Sequence, residues 1–234
     1  MRLSSIDTRY FKAVTAILIA SISAFAGASE PQATSMQKIS VLGGFLEFEN
    51  PQNYCTVGDS PREEALLIRA KADIPDSIRI LHTSVFCPEL KAYISGDTNE
   101  ITRWTQIQLL GSSGGFQRIS IPRESFLQAV GREARKLSSA QIEKEIKERV
   151  DSDTFTISGL NKTVLGRDRD AVYTYTVAHT DDGDSARTVH GLGAATLIDS
   201  IPIGIHVYSS SAASDTAASL RSVQQTLLQS LLTQ

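Results

Sequence analysis

The first candidate for a reactive site is a glycine-serine stretch that fits G-x-S-x-G, the nucleophile elbow of α/β-hydrolases. The matching stretch is Gly111-Ser112-Ser113-Gly114-Gly115. An elbow needs a strand before the serine and a helix directly after it, so that the hydroxyl group is exposed at the helix N-terminus. Residues 116–121 have an extended pattern instead, and a helix is predicted only near Pro122. We therefore favour a flexible hairpin loop and keep a serine hydrolase that uses Ser113 as the alternative function.

A serine nucleophile of this kind also needs a histidine and an acid. In chain order, Ser113 is followed by Asp168 or Asp170 and then by His190 or His206, which satisfies that requirement formally. Because the chain contains four histidines, such an order arises easily by chance. We assign no catalytic residue on this pattern.

No spacing of residues predicts a metal or cofactor site. Zinc needs convergent ligands, and the histidines form neither an i, i+4 pair nor an H-E-x-x-H motif. These histidines are His82, His179, His190 and His206. The acidic turn at 181–184 lacks the glutamate of an EF-hand loop, and residues 191–193 lack the third glycine of a dinucleotide-binding fingerprint. We predict no metal ion and no cofactor.

The start of the chain has the features of an export signal. Three basic residues come first, residues 13–26 contain no charge, and Ala26-Gly27-Ala28 supplies the small residues that signal peptidase recognises. The apolar run is shorter than the ~20 residues that a helix needs to cross a bilayer, and no later stretch is long enough. We therefore predict a signal peptide over 1–28, and a mature protein in the periplasm or outside the cell without a stable membrane span.

Cys55 and Cys87 are the only cysteines. In an oxidising compartment two cysteines of a small domain usually pair, so we predict a disulfide between them. The alternative is a redox-active or nucleophilic thiol. That alternative is disfavoured because the chain has no C-x-x-C motif and only His82 lies near Cys87 in the sequence.

Length and charge limit the class of protein. The 234 residues carry a net charge of −3, and this mild acidic excess argues against a nucleic-acid binder, which would have a basic face. The chain that remains after cleavage has a length typical of one domain. We predict a flexible leader over 29–38 and a single α+β domain over 39–234.

The first half of this domain is predicted to mix strands and helices. Residues 39–48 read as one strand interrupted by glycines. Ser60, Pro61 and Glu63 form a capping box that starts a helix. Buried strands are expected near 78–86 and 104–110, with 116–121 as the hairpin partner of the second. Two helices follow, from Pro122 and from Ser138.

From Thr154 the pattern alternates with a period of two, and turns at 181–184 and 199–202 indicate an antiparallel β-meander. The chain then ends in an amphipathic helix whose apolar stripe needs a sheet or helix to cover it. That stripe consists of Leu220, Val223, Leu227, Leu228 and Leu231. The predicted fold is α+β, an antiparallel β-meander sheet packed against helices and closed by the C-terminal amphipathic helix.

The order of these elements resembles the PsbP-type α/β sandwich, and residues 191–232 carry most of the resemblance. It implies a protein that binds or supports larger assemblies and need not be an enzyme. The chain is also similar to exported bacterial proteins of unknown function that contain a Pro-x-x-Tyr-Cys stretch, here Pro51 to Cys55, and a second cysteine after a buried strand. Neither resemblance implies catalytic residues.

These observations favour a non-catalytic binding or assembly module of the cell envelope. Its expected partner is an envelope or secreted protein, bound through a sheet edge or a helix-flanked groove. Besides the hydrolase, a further alternative is a carrier for a small apolar ligand held between the sheet and the terminal helix. Nucleic acid is not expected as a partner.

Overall fold

The computed structural model describes residues 36–72, 74–112, 114–147, 156–181, 186–210 and 217–233. The predicted signal peptide and residues 29–35 of the predicted leader lie outside the described residues. Ser113 and most of the acidic turn at 181–184 also lie outside them.

Nine strands and five helices are assigned within the described residues. The strands are β1 (Met36–Val41), β2 (Gly44–Glu49), β3 (Tyr54–Thr56), β4 (Ile78–Phe86), β5 (Arg103–Leu110), β6 (Thr156–Arg167), β7 (Val172–Asp181), β8 (Ala186–Ile198) and β9 (Ile201–Ser209). The helices are α1 (Pro61–Ala72), α2 (Cys87–Ser95), α3 (Arg123–Lys136), α4 (Ser139–Lys147) and α5 (Ala217–Leu232).

Seven of these strands form one antiparallel sheet in the order β3-β4-β5-β9-β8-β7-β6, and β1 pairs with β2 in a separate hairpin. The predicted meander is confirmed as the run β6-β7-β8-β9, in which each strand pairs with the next. The last strand, β9, then pairs with β5, so it lies at the centre of the sheet. The α+β fold with a closing C-terminal helix is confirmed.

One face of the sheet is covered by α5 and the β1–β2 hairpin. Successive residues of a strand point to opposite faces, so every second side chain of β9 faces α5. These side chains are apolar. Ile203 and Ile205 of β9 pack in one core with Leu227 and Leu231 of α5, all fully buried. Leu46 from the hairpin completes this core. The apolar stripe predicted on the terminal helix is therefore buried on the sheet.

The opposite face is covered by α3 and α4. Leu127 and Val130 of α3 pack on Val172 and Leu197, and Ile142 of α4 packs in a second cluster around Tyr208. The helices α1 and α2 cover β3 and β4 with a further apolar cluster that includes Cys55 and Val85. The helices of this face thus form two groups, one over β3–β4 and one over β6–β9.

The capping box predicted at the start of α1 is present. The Ser60 hydroxyl accepts a hydrogen bond from the Glu63 backbone N–H at 3.4 Å, and the Glu63 carboxylate accepts one from the Ser60 backbone N–H at 3.3 Å. The other carboxylate oxygen accepts from the Gly58 N–H at 2.8 Å. These contacts satisfy donors at the helix start that have no partner within the helix.

The first predicted strand is wrong in one respect, because it is a hairpin of two strands. Leu42 and Gly43 both have positive φ angles, 48° and 75°, and reverse the chain between β1 and β2. The last three residues of the predicted leader belong to β1, since Met36 pairs with Glu49 at its start.

Residues 116–121 do not form the predicted hairpin strand. After a short antiparallel bridge between Ser112 and Gly115, the segment runs to the β8–β9 turn, where the Ile119 N–H donates to the Ser200 carbonyl at 2.7 Å. Ile119 and Ile121 pack against the core beneath α3. The apolar alternation that suggests a strand here serves to anchor an irregular segment.

Candidate functional site

A row of polar residues crosses the middle of the sheet on the face covered by α3 and α4. In five adjacent strands, residues that lie directly opposite one another are polar or glycine. In strand order they are Thr83, Gln106, His206, Gly193 and Thr174. The four with side chains are buried. We call these five residues the polar row.

The polar row is only partly hydrogen-bonded. Gln108, next to it on β5, donates from Nε2 to Oε1 of Gln106 at 2.8 Å. Among the described residues, Oε1 of Gln108 and Oγ1 of Thr83 have no hydrogen-bond partner. An unpaired buried polar atom costs about 1–3 kcal/mol. Such atoms are uncommon in folded proteins, so the two found here are unusual.

His206 lies flat against the sheet because its neighbours on β8 and β9 are glycines. A Cβ on Gly193 would lie 3.3 Å from Nδ1 of His206, and a Cβ on Gly204 would lie 3.1 Å from its Nε2. The ring stacks on Tyr208, with centroids 5.9 Å apart. Burial lowers the pKa of His206 to about 4, so the imidazole is neutral at physiological pH. A neutral histidine without an orienting carboxylate lacks the arrangement of a catalytic triad.

The candidate triad residues are not brought together. His190 Nδ1 lies 2.7 Å from the hydroxyl oxygen of Tyr175. Asp168 accepts a hydrogen bond from Tyr173, and Asp170 lies 3.9 Å from the Arg123 guanidinium. Within the described residues, no hydrogen bond joins either aspartate to a histidine, and no histidine ring is hydrogen-bonded to a serine.

The glycine-serine loop does not have the context of a nucleophile elbow. Ser112 and Gly115 exchange two backbone hydrogen bonds of 3.0 and 2.9 Å, which close a tight turn. The next helix, α3, begins only at Arg123. The elbow places its serine at a helix N-terminus, and here the described residues after the turn are irregular up to α3. The described residues on either side of Ser113 therefore form neither an elbow nor the predicted hairpin.

The other two histidines have structural partners. His82 Nε2 lies 2.9 Å from Oδ1 of Asn50, and burial lowers the pKa of His82 to about 4. His179 Nδ1 lies 3.0 Å from Oγ1 of Thr188. Within the described part of the chain, no three His, Cys, Asp or Glu side chains are grouped as a metal site would require.

The two cysteines form a disulfide. The Sγ atoms of Cys55 in β3 and Cys87 at the start of α2 are bonded at 2.05 Å. The bond joins the edge strand of the sheet to the helix that follows β4. It lies in the apolar cluster beneath α1 and α2, and Cys55 is buried there.

A surface cleft lies between the β6–β7 turn and the terminal helix α5. Its volume is about 160 Å³. Its apolar wall is formed by Leu165 and Leu192. The other lining residues are Gly166, Arg167, Asp168, Tyr173, Arg221 and Gln224. This position corresponds to the apolar carrier site that the sequence suggests. Its lining combines apolar side chains with charged ones, and the carrier stays a prediction.

The turn between β6 and β7 is organised by Asp168. Its Oδ1 accepts hydrogen bonds from the backbone N–H groups of Asp170 and Ala171 at 2.8 and 2.9 Å. Its Oδ2 accepts from the hydroxyl group of Tyr173 at 2.9 Å. Burial alone would raise the pKa of Asp168, but these hydrogen bonds outweigh it and lower the pKa.

Tyr173 and Gln224 form the deeper part of the cleft. Burial and the hydrogen bond to Asp168 raise the pKa of Tyr173, which keeps its hydroxyl group protonated. Gln224 is fully buried in α5 and donates from Nε2 to the carbonyl oxygens of Leu192 and Ile205 at 3.0 and 3.3 Å. Its Oε1 has no hydrogen-bond partner among the described residues.

Sequence reasoning does not identify the residues that line this cleft, although one signal is available. Gln224 lies within the buried stripe of α5, between Leu220 and Leu227, where an apolar residue is expected. A polar residue at such a position indicates a special environment. Tyr173, Asp168 and the helix come together only through the fold.

Comparison with known proteins leaves the family open. The sequence matches no known protein family, and no curated protein matches it. Among solved structures, the Saccharomyces cerevisiae Ran-binding protein Mog1p is similar with a TM-score of 0.36 and 10% identity, over 86% of this chain and 94% of that chain. A similarity at this level assigns no function.

Within the ranges that the structure describes, no helix is both long and apolar enough to cross a membrane.

Proposed function

We propose that the protein is exported, loses residues 1–28, and acts in the periplasm or outside the cell as a non-catalytic binding module. In this proposal its partner is an envelope or secreted protein, and the cleft between α5 and the β6–β7 turn is the contact site. The resemblance to PsbP-type proteins implies the same kind of role and remains a prediction.

The observation that supports binding is the preformed cleft at the helix-flanked edge of the sheet. Leu165 is 48% exposed beside it, and Arg167 and Arg221 line it. Arginine and exposed apolar side chains are common where proteins bind one another. The cleft has room for a side chain or a chain end, so we expect it to anchor one residue of a larger partner.

The observation that supports export is the disulfide between Cys55 and Cys87. Disulfides persist in oxidising compartments and are rare in the cytosol. Together with the predicted signal, this bond favours the periplasm or the exterior. N-terminal sequencing of the natural product should begin at Ser29. A start at Met1, or fractionation with cytosolic markers, would contradict the export proposal.

Partner binding is tested by site-specific photo-crosslinking in the intact host cell. A photoreactive phenylalanine analogue replaces Leu165 beside the cleft or, as control, Ile68, which is 63% exposed on α1 in the helix group over β3–β4. We expect one defined adduct from position 165 and none from position 68. No adduct from 165, or the same adducts from both positions, would overturn the cleft as contact site.

A further inference from the structure

The two arginines of the cleft are free to bind a ligand. Within the described residues, the guanidinium groups of Arg167 and Arg221 take part in no ion pair and no hydrogen bond. Arg221 lies over the ring of Tyr173, whose centroid is 5.9 Å from the guanidinium carbon. Both side chains line the cleft.

The acid in the cleft does not neutralise these arginines by contact. Asp168 already accepts three hydrogen bonds, from two backbone N–H groups and the Tyr173 hydroxyl. Counting the charged lining residues, two guanidinium groups and one carboxylate leave one positive charge. A ligand that carries one negative charge would balance it, whereas a phosphate dianion would exceed it and meet the repulsion of Asp168.

The deeper wall offers a hydrogen-bond acceptor at Tyr173. The Tyr173 hydroxyl donates its proton to Asp168, so its oxygen retains the capacity to accept a hydrogen bond. Oε1 of Gln224 also has no partner among the described residues, but it is fully buried and not exposed to the cleft. A ligand that fits this wall therefore carries an N–H or O–H donor close to its negative charge.

We propose that the cleft binds the carboxylate of a peptide chain end, with Arg167 and Arg221 at the carboxylate and Tyr173 at the adjoining amide N–H. This inference rests on the proposed function, since it names the chemical group of the partner that the cleft recognises. Arginine suits this role because its planar donors match a carboxylate in geometry. Leu165 and Leu192 provide an apolar surface for the terminal side chain.

The test uses the purified mature protein labelled with ¹⁵N and N-acetylglycylleucine as probe. We expect shift changes at the Arg221 side-chain N–H and at the backbone N–H of Gly166 and Asp168, with a Kd on the order of 1 mM. Arg221→Gln should weaken binding by about tenfold, because a charged hydrogen-bond partner is lost. Arg135→Gln, on the exposed side of α3, is the matched control and should bind as the wild type does.

Three further probes distinguish the sources of the charge. The same dipeptide with an amidated C-terminus should cause no shift, and inorganic phosphate should bind more weakly than the free acid. Equal binding of the amide would overturn the carboxylate proposal, and tighter binding of phosphate would replace it with a phosphate site. An amidated peptide with a glutamate side chain that binds as well as the free acid would reassign the site to side-chain carboxylates.

If none of the probes causes a shift change, the ligand assignment is overturned but the binding function is not. The crosslinking experiment in cells does not depend on these probes, so a partner crosslinked from position 165 would then leave the binding function standing with a different chemistry.

Discussion

Gly193 of β8 lies directly opposite His206 of β9, and the His206 ring occupies the space beside the position that a Cβ on Gly193 would take. Such a Cβ would lie 2.7 Å from Oγ1 of Thr174 and 3.2 Å from Cε1 of His206. The glycine is therefore what allows the polar side chains of this row to pack flat on the central strands.

This packing predicts opposite effects for two glycine substitutions. Gly193→Ala should lower the free energy of unfolding by about 1–3 kcal/mol, because Thr174 and His206 must move. Gly131→Ala in α3 should raise it by about 0.5–1 kcal/mol, since the new methyl group would contact Val172 at an ordinary 3.6 Å and alanine favours a helix. Urea denaturation of the two variants measures both. Equal destabilisation by the two would contradict the packing described here.

The buried histidines predict a loss of stability in mild acid. Burial lowers the folded pKa of His82 and His206 to about 4, below the ordinary value of 6.5. The unfolded chain therefore takes up protons first as the pH falls. The contribution to stability is fully present above pH 6.5 and is lost progressively toward pH 4, by roughly 2 kcal/mol per histidine between pH 7.5 and 5.0.

Urea denaturation at these two pH values checks the acid effect, and His206→Gln should remove about half of the difference. NMR titration of the folded wild type is an independent check. Both rings should remain neutral at pH 5.5, and a midpoint near 6.5 for either histidine would contradict the prediction.

The disulfide predicts a loss of stability on reduction. Cys55 and Cys87 close a loop with a sequence separation of 32 residues. On the chain-entropy account, its removal should lower the free energy of unfolding by about 3–4 kcal/mol. Denaturation of the Cys55→Ser/Cys87→Ser double variant measures the effect. Mass spectrometry of the natural protein should find no free thiol, and two free thiols would argue against both the bond and export.

The hydrogen bond from Tyr173 to Asp168 links the cleft to the stability of the β6–β7 turn. Tyr173→Phe should lower the free energy of unfolding by about 0.5–1.5 kcal/mol and raise the pKa of Asp168, because one donor to the carboxylate is lost. Carbon-detected NMR titration of the Asp168 carboxyl group measures the pKa. Tyr175→Phe, on the same face of β7, is the control and should leave that pKa unchanged.

The hydrolase alternative predicts covalent labelling that we do not expect. The described residues around Ser113 lack the helix that an elbow requires, so the purified protein should not react with a fluorophosphonate probe. Labelling of the wild type that disappears in Ser113→Ala would restore the serine hydrolase as the function.

The local sequence was sufficient to predict those structures that depend only on neighbouring residues. The capping box of Ser60 and Glu63, the turn at Asp199 and Ser200, and the apolar stripe of α5 all follow from propensity and periodicity within a few residues. The pairing of Cys55 with Cys87 followed because only one pairing is available to two cysteines. Residues 116–121 were misassigned because the same alternation occurs in a strand and in an anchored irregular segment.

Only the tertiary structure decided which distant strands and side chains meet. The pairing of β5 with β9 aligns Gln106 with His206, and the packing of α5 on the sheet brings Arg221 close to Tyr173. Such contacts depend on how apolar faces are shared across the whole fold, and no local pattern encodes which strand becomes the neighbour of another. The elements were therefore set by the sequence within each segment, whereas the polar row and the cleft arise from the burial of those segments together.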